Sequence, residues 1–455
     1  MTIDELYLQL NNASFETLVC QTNIKNDEDL KQFFNTGCND VLKLEEYQNL
    51  HLNIPAERIW YTPNTLIAQA IYYNPDTLAT YCMPPLRLIQ SNILKYSDCI
   101  AKKVQDSEDE ATTGNFDAGL LTLPDSMKIE YFNLLLNKGI VINDLYATFI
   151  DYYNLVDYGN LEISKKNLRR IIASKTKKDQ EKTTAALQGF PDTITVYRGE
   201  NSESAKSNEA YSWTTNINVA MFFAIRRGNG PAVIVTGEVK KEKIIEYISD
   251  RNEDEVLCYP KDVKEVNRIE LYGKDDLIET LPKMSRIFQR FSSQLSRLTF
   301  SVNSNVHGRE HELHVLILSQ YIAEKMNLCL EDKRILATAA IFHDTRRQTD
   351  NIEDLHGMHA KEYYCQVTEN PNPIVAFLCE YHCLPDNEAY TTIENDNYLH
   401  MHQRRVRLLY DIFCDSDSLD RLRFGVSELD YQQLRTSVAK KSPLIAKIVA
   451  DNTWT

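Results

Sequence analysis

The chain has 455 residues, 43% of them hydrophobic and 25% charged, with a formal net charge of −15 at pH 7. That length exceeds one ordinary core, so two or three domains are expected, with the composition of a soluble globular protein. The acidic balance argues against broad nucleic-acid binding, no apolar run approaches a membrane span, and the opening MTIDELYLQL lacks the basic-then-apolar pattern of a secretory signal.

The first hundred residues read as helical segments rich in Leu, Tyr and Asn, without a chemical motif. Residues 105–117 (QDSEDEATTGNFD) are acidic and poor in large apolar side chains, the pattern of a surface loop or linker. Helical spacing resumes at Leu121 and continues to about Leu187; within it the basic stretch 165–182 (KKNLRRIIASKTKKDQEK) reads as a solvated helix face. From residue 190 to residue 283 short β-branched runs take over: DTITVYRG at 192–199, Ala232–Val235 and Val256–Leu257. They indicate a β-rich or α+β region. After Pro282 the spacing is helical at 306–326, 331–342 and 401–413, which predicts an all-α C-terminal part. The ten cysteines form no CxxC pair, and Cys379 and Cys383 flank His382, so reduced thiols are expected. No internal repeat is evident.

The C-terminal part concentrates metal-ligating side chains. His307, His311 and His314 are spaced to share one helix face, and the apolar helix EDKRILATAAIFHD closes on His343-Asp344. His356, His359, His382 and the acidic cluster DSDSLDR at 415–421 follow. Helices that fix ligands beside a dry wall suit a metal site. The pattern resembles the HD phosphohydrolase superfamily: His311 in HELHV, His343-Asp344 in AAIFHD, and Asp417. HGREHELHV, HDTRRQTD, DLHG and EYHC resemble a subgroup with a second metal, which His356 and His382 would complete; His314 stands where that subgroup carries arginine. The resemblance covers about residues 300–425. It implies one or two divalent transition-metal ions (Mn, Fe, Zn, Ni or Co), with Asp344 bridging and Arg346, Arg347 or Lys361 neutralising a substrate phosphate. Two such ions stabilise in-line attack on phosphorus.

The middle region carries a second set. Arg198 ends a predicted strand in VYRGE, Ser212 follows in YSWTT, then MFFA, and Glu253 and Glu255 in RNEDEVL are spaced to share one side of an extended segment. This order resembles the Arg-Ser-Glu class of mono-ADP-ribosyltransferases over roughly residues 190–275. The resemblance implies NAD as substrate, held by Arg198 and Ser212. Gly199 would let the backbone approach the nicotinamide amide, and Phe222 or Phe223 would stack on its ring. Glu255 would stabilise the oxocarbenium-like transition state and Glu253 would orient the acceptor. Two departures stand out: thirteen residues separate Arg198 from Ser212, a short interval, and the serine motif is Ser-Trp-Thr.

The fold expected is multidomain α+β: a helical N-terminal region (1–120), a split-sheet ADP-ribosyltransferase-like domain (121–283) and an all-α HD domain (284–455). The function expected is bifunctional. An NAD-dependent transferase would modify a protein acceptor, arginine being the side chain that the Glu-x-Glu pair points to. The HD domain would process or reverse the mark at its phosphoester. A second reading is an HD nucleotide phosphohydrolase or phosphodiesterase beside an independent or non-catalytic NAD-sensing domain, and a third is a sensor without activity. The pairing fits a bacterial effector or toxin, cytoplasmic or delivered into a host cytosol by a specialised secretion system.

Overall fold

The computed structural model describes residues 54, 58–62, 69–82, 93–123, 125–155, 163–202, 204–226, 230–249, 252–302, 304, 306–351, 353 and 355–451. The chain divides into two compact units, residues 1–186 and 187–455. The sequence boundaries at 120 and 283 fall elsewhere. Helices 121–186 group with the first unit, while the sheet and the C-terminal helices form the second.

The first unit corrects two sequence expectations. Most of the helical reading for the first hundred residues falls outside the described residues, but where they begin the chain forms strands. β1 (Ile59–Thr62), β2 (Gln69–Tyr73) and β3 (Thr80–Cys82) make an antiparallel sheet in that order. Aromatic and β-branched runs such as IWYT and QAIYY favour this pleated state. The acidic stretch read as a linker belongs mostly to α1 (Ile93–Thr112). Its Ile100, Val104, Ser107 and Ala111 are buried. Ser107 Oγ donates to the carbonyl of Thr80 at 3.0 Å, and the Glu108 carboxylate accepts from Asn74 and Thr77 at 2.7 Å each. High acidity hid a helix with one narrow buried face. Helices α2 (Asp117–Thr122), α3 (Asp125–Asn137), α4 (Leu145–Tyr153), α5 (Lys165–Ala173) and α6 (Lys177–Ala186) follow. Asn167 and Ile171 of α5 are buried while its four basic residues face solvent.

The second unit opens with a six-stranded antiparallel sheet. Its strands are β4 (Thr193–Glu200), β5 (Ser212–Thr214), β6 (Val233–Lys240), β7 (Ile244–Ile248), β8 (Glu255–Cys258) and β9 (Val263–Glu270), with α7 (Ile217–Ile225) between β5 and β6. The order across the sheet is β7-β8-β5-β4-β6-β9. β4 and β6 pair over eight residues, but β4 and β5 pair at one position, Tyr197 with Thr214. The sheet therefore splits beyond Tyr197, between Arg198–Glu200 and Ser212. Alternation sorts the faces: Ile194, Val196, Trp213, Val235 and Val256 share a core with Leu187.

Gly199 faces the other way, onto α7. A Cβ there would stand 2.0 Å from the carbonyl oxygen of Ala220 and 2.5 Å from the amide of Ala224. The glycine is thus required for helix-on-strand packing.

β9 leads into α8 (Lys274–Leu295), which runs through Pro282 and past the expected 283 boundary. The missing N–H of Pro282 leaves the carbonyl of Ile278 without its helical donor, on an exposed side of the helix. The remaining helices are α9 (Arg309–Lys325), α10 (Leu330–Phe342), α11 (His356–Val367), α12 (Pro373–Tyr381), α13 (Asp386–Asn395), α14 (Asn397–Met401), α15 (Gln403–Asp420) and α16 (Pro443–Ala450). One hydrophobic core runs from Ala220, Met221 and Ile234 of the sheet region through Leu277 and Phe291 to Leu316, Leu336, Phe413 and Ile445. Polar contacts reinforce it. Asn218 Nδ2 donates to Asp430 at 3.0 Å, the Tyr431 amide donates to Asn218 Oδ1 at 2.8 Å, and the Tyr272 amide donates to the Lys441 carbonyl at 2.7 Å. No helix among the described residues is long and apolar enough to cross a membrane.

Candidate functional site

Five helices deliver the histidines and carboxylates of the C-terminal part to one buried point. His311 sits in the first turns of α9, where Val315, Leu316 and Leu318 anchor the helix in the core. α10 is buried from Ile335 to Phe342 apart from Thr338, so His343 and Asp344 emerge at its end with 0% and 3% relative exposure. His356 opens α11, His382 follows α12, and Asp417 projects from α15. His307, expected on the same helix as His311, precedes α9, yet its Nδ1 still reaches Asp344 Oδ2 at 2.9 Å.

Asp344 separates two lobes. On the Oδ2 side lie His311 Nε2 at 3.6 Å and the nitrogen of His307; on the Oδ1 side lie His356 Nε2 at 3.1 Å and His382 Nε2 at 3.5 Å. Asp417 Oδ1 stands 3.3 Å from His311 Nε2 and 3.9 Å from His343 Nε2. The Nε2 atoms come in close pairs, His311 with His343 at 3.1 Å and His356 with His382 at 3.0 Å. Two nitrogens each about 2.1 Å from one ion stand roughly 3.0 to 3.4 Å apart, depending on geometry. The donor set therefore has the spacing of two neighbouring metal positions sharing Asp344.

The outer ring nitrogens point the same way. Nδ1 of His311 donates to Asp420 Oδ2 at 2.7 Å, that of His382 to the Cys379 carbonyl at 2.8 Å, and that of His356 to the Glu353 carbonyl. His343 Nδ1 lies 3.1 Å from both the Ala340 carbonyl and Glu312 Oε2. Each acceptor fixes its ring and turns the Nε2 lone pair inward, as ligating histidines require. Asp344 Oδ1 is buried and accepts no hydrogen bond of proper geometry, while Glu312 Oε2, also outside hydrogen-bonding geometry, faces His343 Nδ1 as an ion pair. An orphaned buried carboxylate oxygen among imidazoles fits a cation.

Burial by itself lowers a histidine, yet the hydrogen bonds and charges of Asp417 and Asp420 raise His311 to about 10. Glu312 and Asp344 likewise overcome burial and raise His343 to about 9. Burial pushes Asp417 up, and His311, then His343 and His382, outweigh it and hold the carboxylate below its ordinary range. The rings face more carboxylate than neutral imidazole balances, a charge deficit that a divalent ion would make up.

Two residues here escaped sequence reasoning. Asp420 accepts from His311 and from His314 Nδ1, each at 2.7 Å, and pairs with Arg423. His314 is thus buried against the carboxylate that holds His311. Glu312, fully buried, supports His343 and accepts from the Asp344 amide at 3.3 Å. The basic candidates separate. Lys361 is paired to Glu380, and Arg346 stacks 3.3 Å from the Tyr363 ring centroid while holding the Thr299 carbonyl. Arg347 faces the centre, its Nη1 lying 3.1 Å from His356 Nε2 and 3.7 Å from Asp344 Oδ1.

In the sheet, Arg198, Ser212 and Glu255 come together around the split between β4 and β5. Arg198 Nη1 donates to the Ser212 carbonyl at 2.7 Å, and its Nη2 donates to the Ala205 carbonyl at 3.0 Å. Ser212 Oγ donates to Glu255 Oε1 at 2.5 Å. The register explains this contact: Ser212 faces Leu257 and Thr214 faces Glu255, so Ser212 and Glu255 share one face on adjacent strands. The Glu-x-Glu segment differs from expectation. Asp254 adopts φ +46° before β8 begins, so Glu253 lies in a turn, where its carbonyl accepts from Thr214 Oγ1 at 2.6 Å. Phe222 and Phe223 are half-buried on α7, with the Arg226 guanidinium 4.2 Å from the Phe223 ring centroid.

A family model described as the HD domain matches residues 308–422, the helices that carry the histidine and aspartate cluster. No curated protein and no solved structure matches the chain. An HD domain is present, and it supports an enzyme with metal-dependent phosphohydrolase activity. The match does not extend to the six-stranded sheet.

Proposed function

We propose that the chain is a bifunctional enzyme. Its sheet transfers ADP-ribose from NAD to a protein, and its HD centre hydrolyses a phosphoester of the attached ADP-ribose. The observation carrying this reading is the Ser212 bridge, which ties Arg198 through the serine carbonyl and Glu255 through the serine hydroxyl at the sheet split.

Within the sheet, each group has a task set by its chemistry. Arg198 suits a pyrophosphate because guanidinium makes paired, charge-assisted hydrogen bonds. Ser212 holds the Glu255 carboxylate in one orientation, and that negative charge stabilises the cation developing as the nicotinamide–ribose bond breaks. Glu253, in its turn beside β5, orients the acceptor.

At the HD centre, His311, His343, Asp344 and Asp417 would hold one ion, and Asp344, His356 and His382 a second. Bound ions there supply Lewis-acid charge for a phosphoryl group and lower the pKa of water. The chain's own residues fix the ligands: Asp420 and Glu312 clamp His311 and His343 from behind, and the apolar wall of α10 excludes bulk solvent. Arg347 meets the substrate phosphate at the edge of the centre.

The test uses the full chain with NAD, divalent metal and a cell lysate, and reads adduct masses on acceptor proteins. A wild-type phosphoribosyl adduct, absent with Glu255→Ala and replaced by full ADP-ribose with Asp344→Ala, is the result expected. No adduct in any sample removes the transferase half. An unchanged adduct mass with Asp344→Ala removes the coupling and leaves a free nucleotide or phosphodiester as the HD substrate.

A further inference from the structure

Cys383 follows His382 directly, in the turn that ends α12, and is half-buried. Its Sγ and ring nitrogens of His356 and His382 all lie within 4.8 Å of one another. A second feature points into the same space: Asp344 is 3% exposed, and its Oδ1, which accepts no hydrogen bond of proper geometry, stands 3.1 Å from His356 Nε2 and 3.5 Å from His382 Nε2. Packing brings the thiol there through Gly357. A Cβ on that residue would lie 2.6 Å from the carbonyl oxygens of Cys379 and Glu380 and 3.0 Å from Cys383 Sγ. The absence of a side chain at 357 lets the start of α11 seat against the end of α12, setting the thiol beside His356.

We infer that Cys383 is a metal ligand, so that the second position of the centre is a mixed His356–His382–Cys383 site closed by Asp344. The inference rests on reading the HD cluster as a metal centre. The two positions then differ in chemistry. The first, from His311, His343, Asp344 and Asp417, offers nitrogen and oxygen alone; the second adds a thiolate. Thiolate prefers zinc, cobalt, nickel or iron(II) over magnesium, calcium or manganese. An ion about 2.3 Å from sulfur and about 2.1 Å from nitrogen places those donors roughly 3.6 Å apart, so a small rotation of the cysteine closes the site. Arg347, whose Nη1 lies 3.1 Å from His356 Nε2, moves outward as the position fills.

The experiment strips the full-length protein with a chelator and reloads it anaerobically with cobalt(II) under reductant, following the visible d–d bands and the near-ultraviolet thiolate-to-cobalt charge-transfer band. The expected result is a charge-transfer band in the wild type, its loss in Cys383→Ser, and d–d bands of a filled centre in both. Cys383→Asp, which keeps an anionic donor, restores wild-type cobalt affinity without the band. A wild type that binds cobalt without the band, or a Cys383→Ser variant that keeps it, overturns the thiolate ligand while leaving the metal centre standing. A wild type that retains no cobalt overturns both.

Discussion

Asp420 is the most informative place to perturb the centre, because it touches no reacting group yet holds a ligand. Its carboxylate accepts from Nδ1 of His311 and of His314, each at 2.7 Å, and pairs with Arg423 at 1% side-chain exposure. Asp420→Asn keeps the shape but removes the charge, so one imidazole N–H meets an amide N–H. A charge-assisted hydrogen bond of this kind is worth about 1.5–3 kcal/mol. Removing the support behind a ligating histidine lowers metal affinity by about 10- to 100-fold, the same order. The loss should fall on the position held by His311 and spare the one held by His356 and His382. Competition titrations with a chromophoric chelator resolve two affinities per chain, and one of the two steps should shift alone. His314→Gln, which perturbs the same carboxylate without touching a ligand, should change affinity less than about threefold. If Asp420→Asn leaves both affinities within twofold of wild type, the claim that Asp420 orients His311 is wrong.

The remaining expectations follow from the same geometry. Glu255→Gln should lower NAD cleavage and transfer by about 10²–10³-fold while leaving phosphoester hydrolysis intact, and parallel assays decide it; equal loss in both would indicate misfolding instead. Arg347→Ala should raise the affinity of the second metal position, since a guanidinium leaves it, and weaken phosphoester kcat/KM by about 10-fold or more; tighter substrate binding would contradict the assignment. Metal loading should release protons. Their carboxylate neighbours raise His311 and His343 above the ordinary histidine value, so at neutral pH the facing Nε2 pair, 3.1 Å apart, holds a proton that an ion displaces, and affinity falls as pH drops. Calorimetry in two buffers of different ionisation enthalpy checks this, and a buffer-independent heat refutes it. Gly199→Ala should destabilise the second unit by about 1–3 kcal/mol or more, because the added carbon meets the backbone of α7; an unchanged Tm would show that the strand and helix are free to move apart.

The convergence of His311, His343, Asp344 and Asp417 was legible because ligands that end or begin apolar helices keep a fixed order in the sequence. Their supports were not. Glu312 reads as one more polar residue in a helix, and Asp420 is indistinguishable within DSDSLD from Asp415, which instead accepts the Arg435 and Thr436 amides. Cys383 reads as a flank of His382 because the helix packing at Gly357 that seats its thiol is a tertiary event. In the sheet, Arg198 and Glu255 were placed by their β-branched neighbours. Strands β5, β7 and β9 were missed, and β9 (VKEVNRIE) shows why: it is an edge strand, largely exposed, and its composition is that of a polar surface. The turn at Asp254 was equally hidden, since a left-handed residue between two glutamates carries no compositional mark.

The apolar core that links α7 and β6 to the C-terminal helices bears on how this chain can be inherited and dissected. A truncation after residue 283 cuts α8 and leaves Ile225, Ala232, Leu271 and Leu277 without their cover. A buried Leu or Ile contributes about 1.5–3 kcal/mol, and few domains survive losing several. The sheet and the HD helices are then neither shuffled cassettes nor beads on a string. A shared core of this kind should make them melt together and draw on one reserve of stability, so that selection acts on the pair as a single trait.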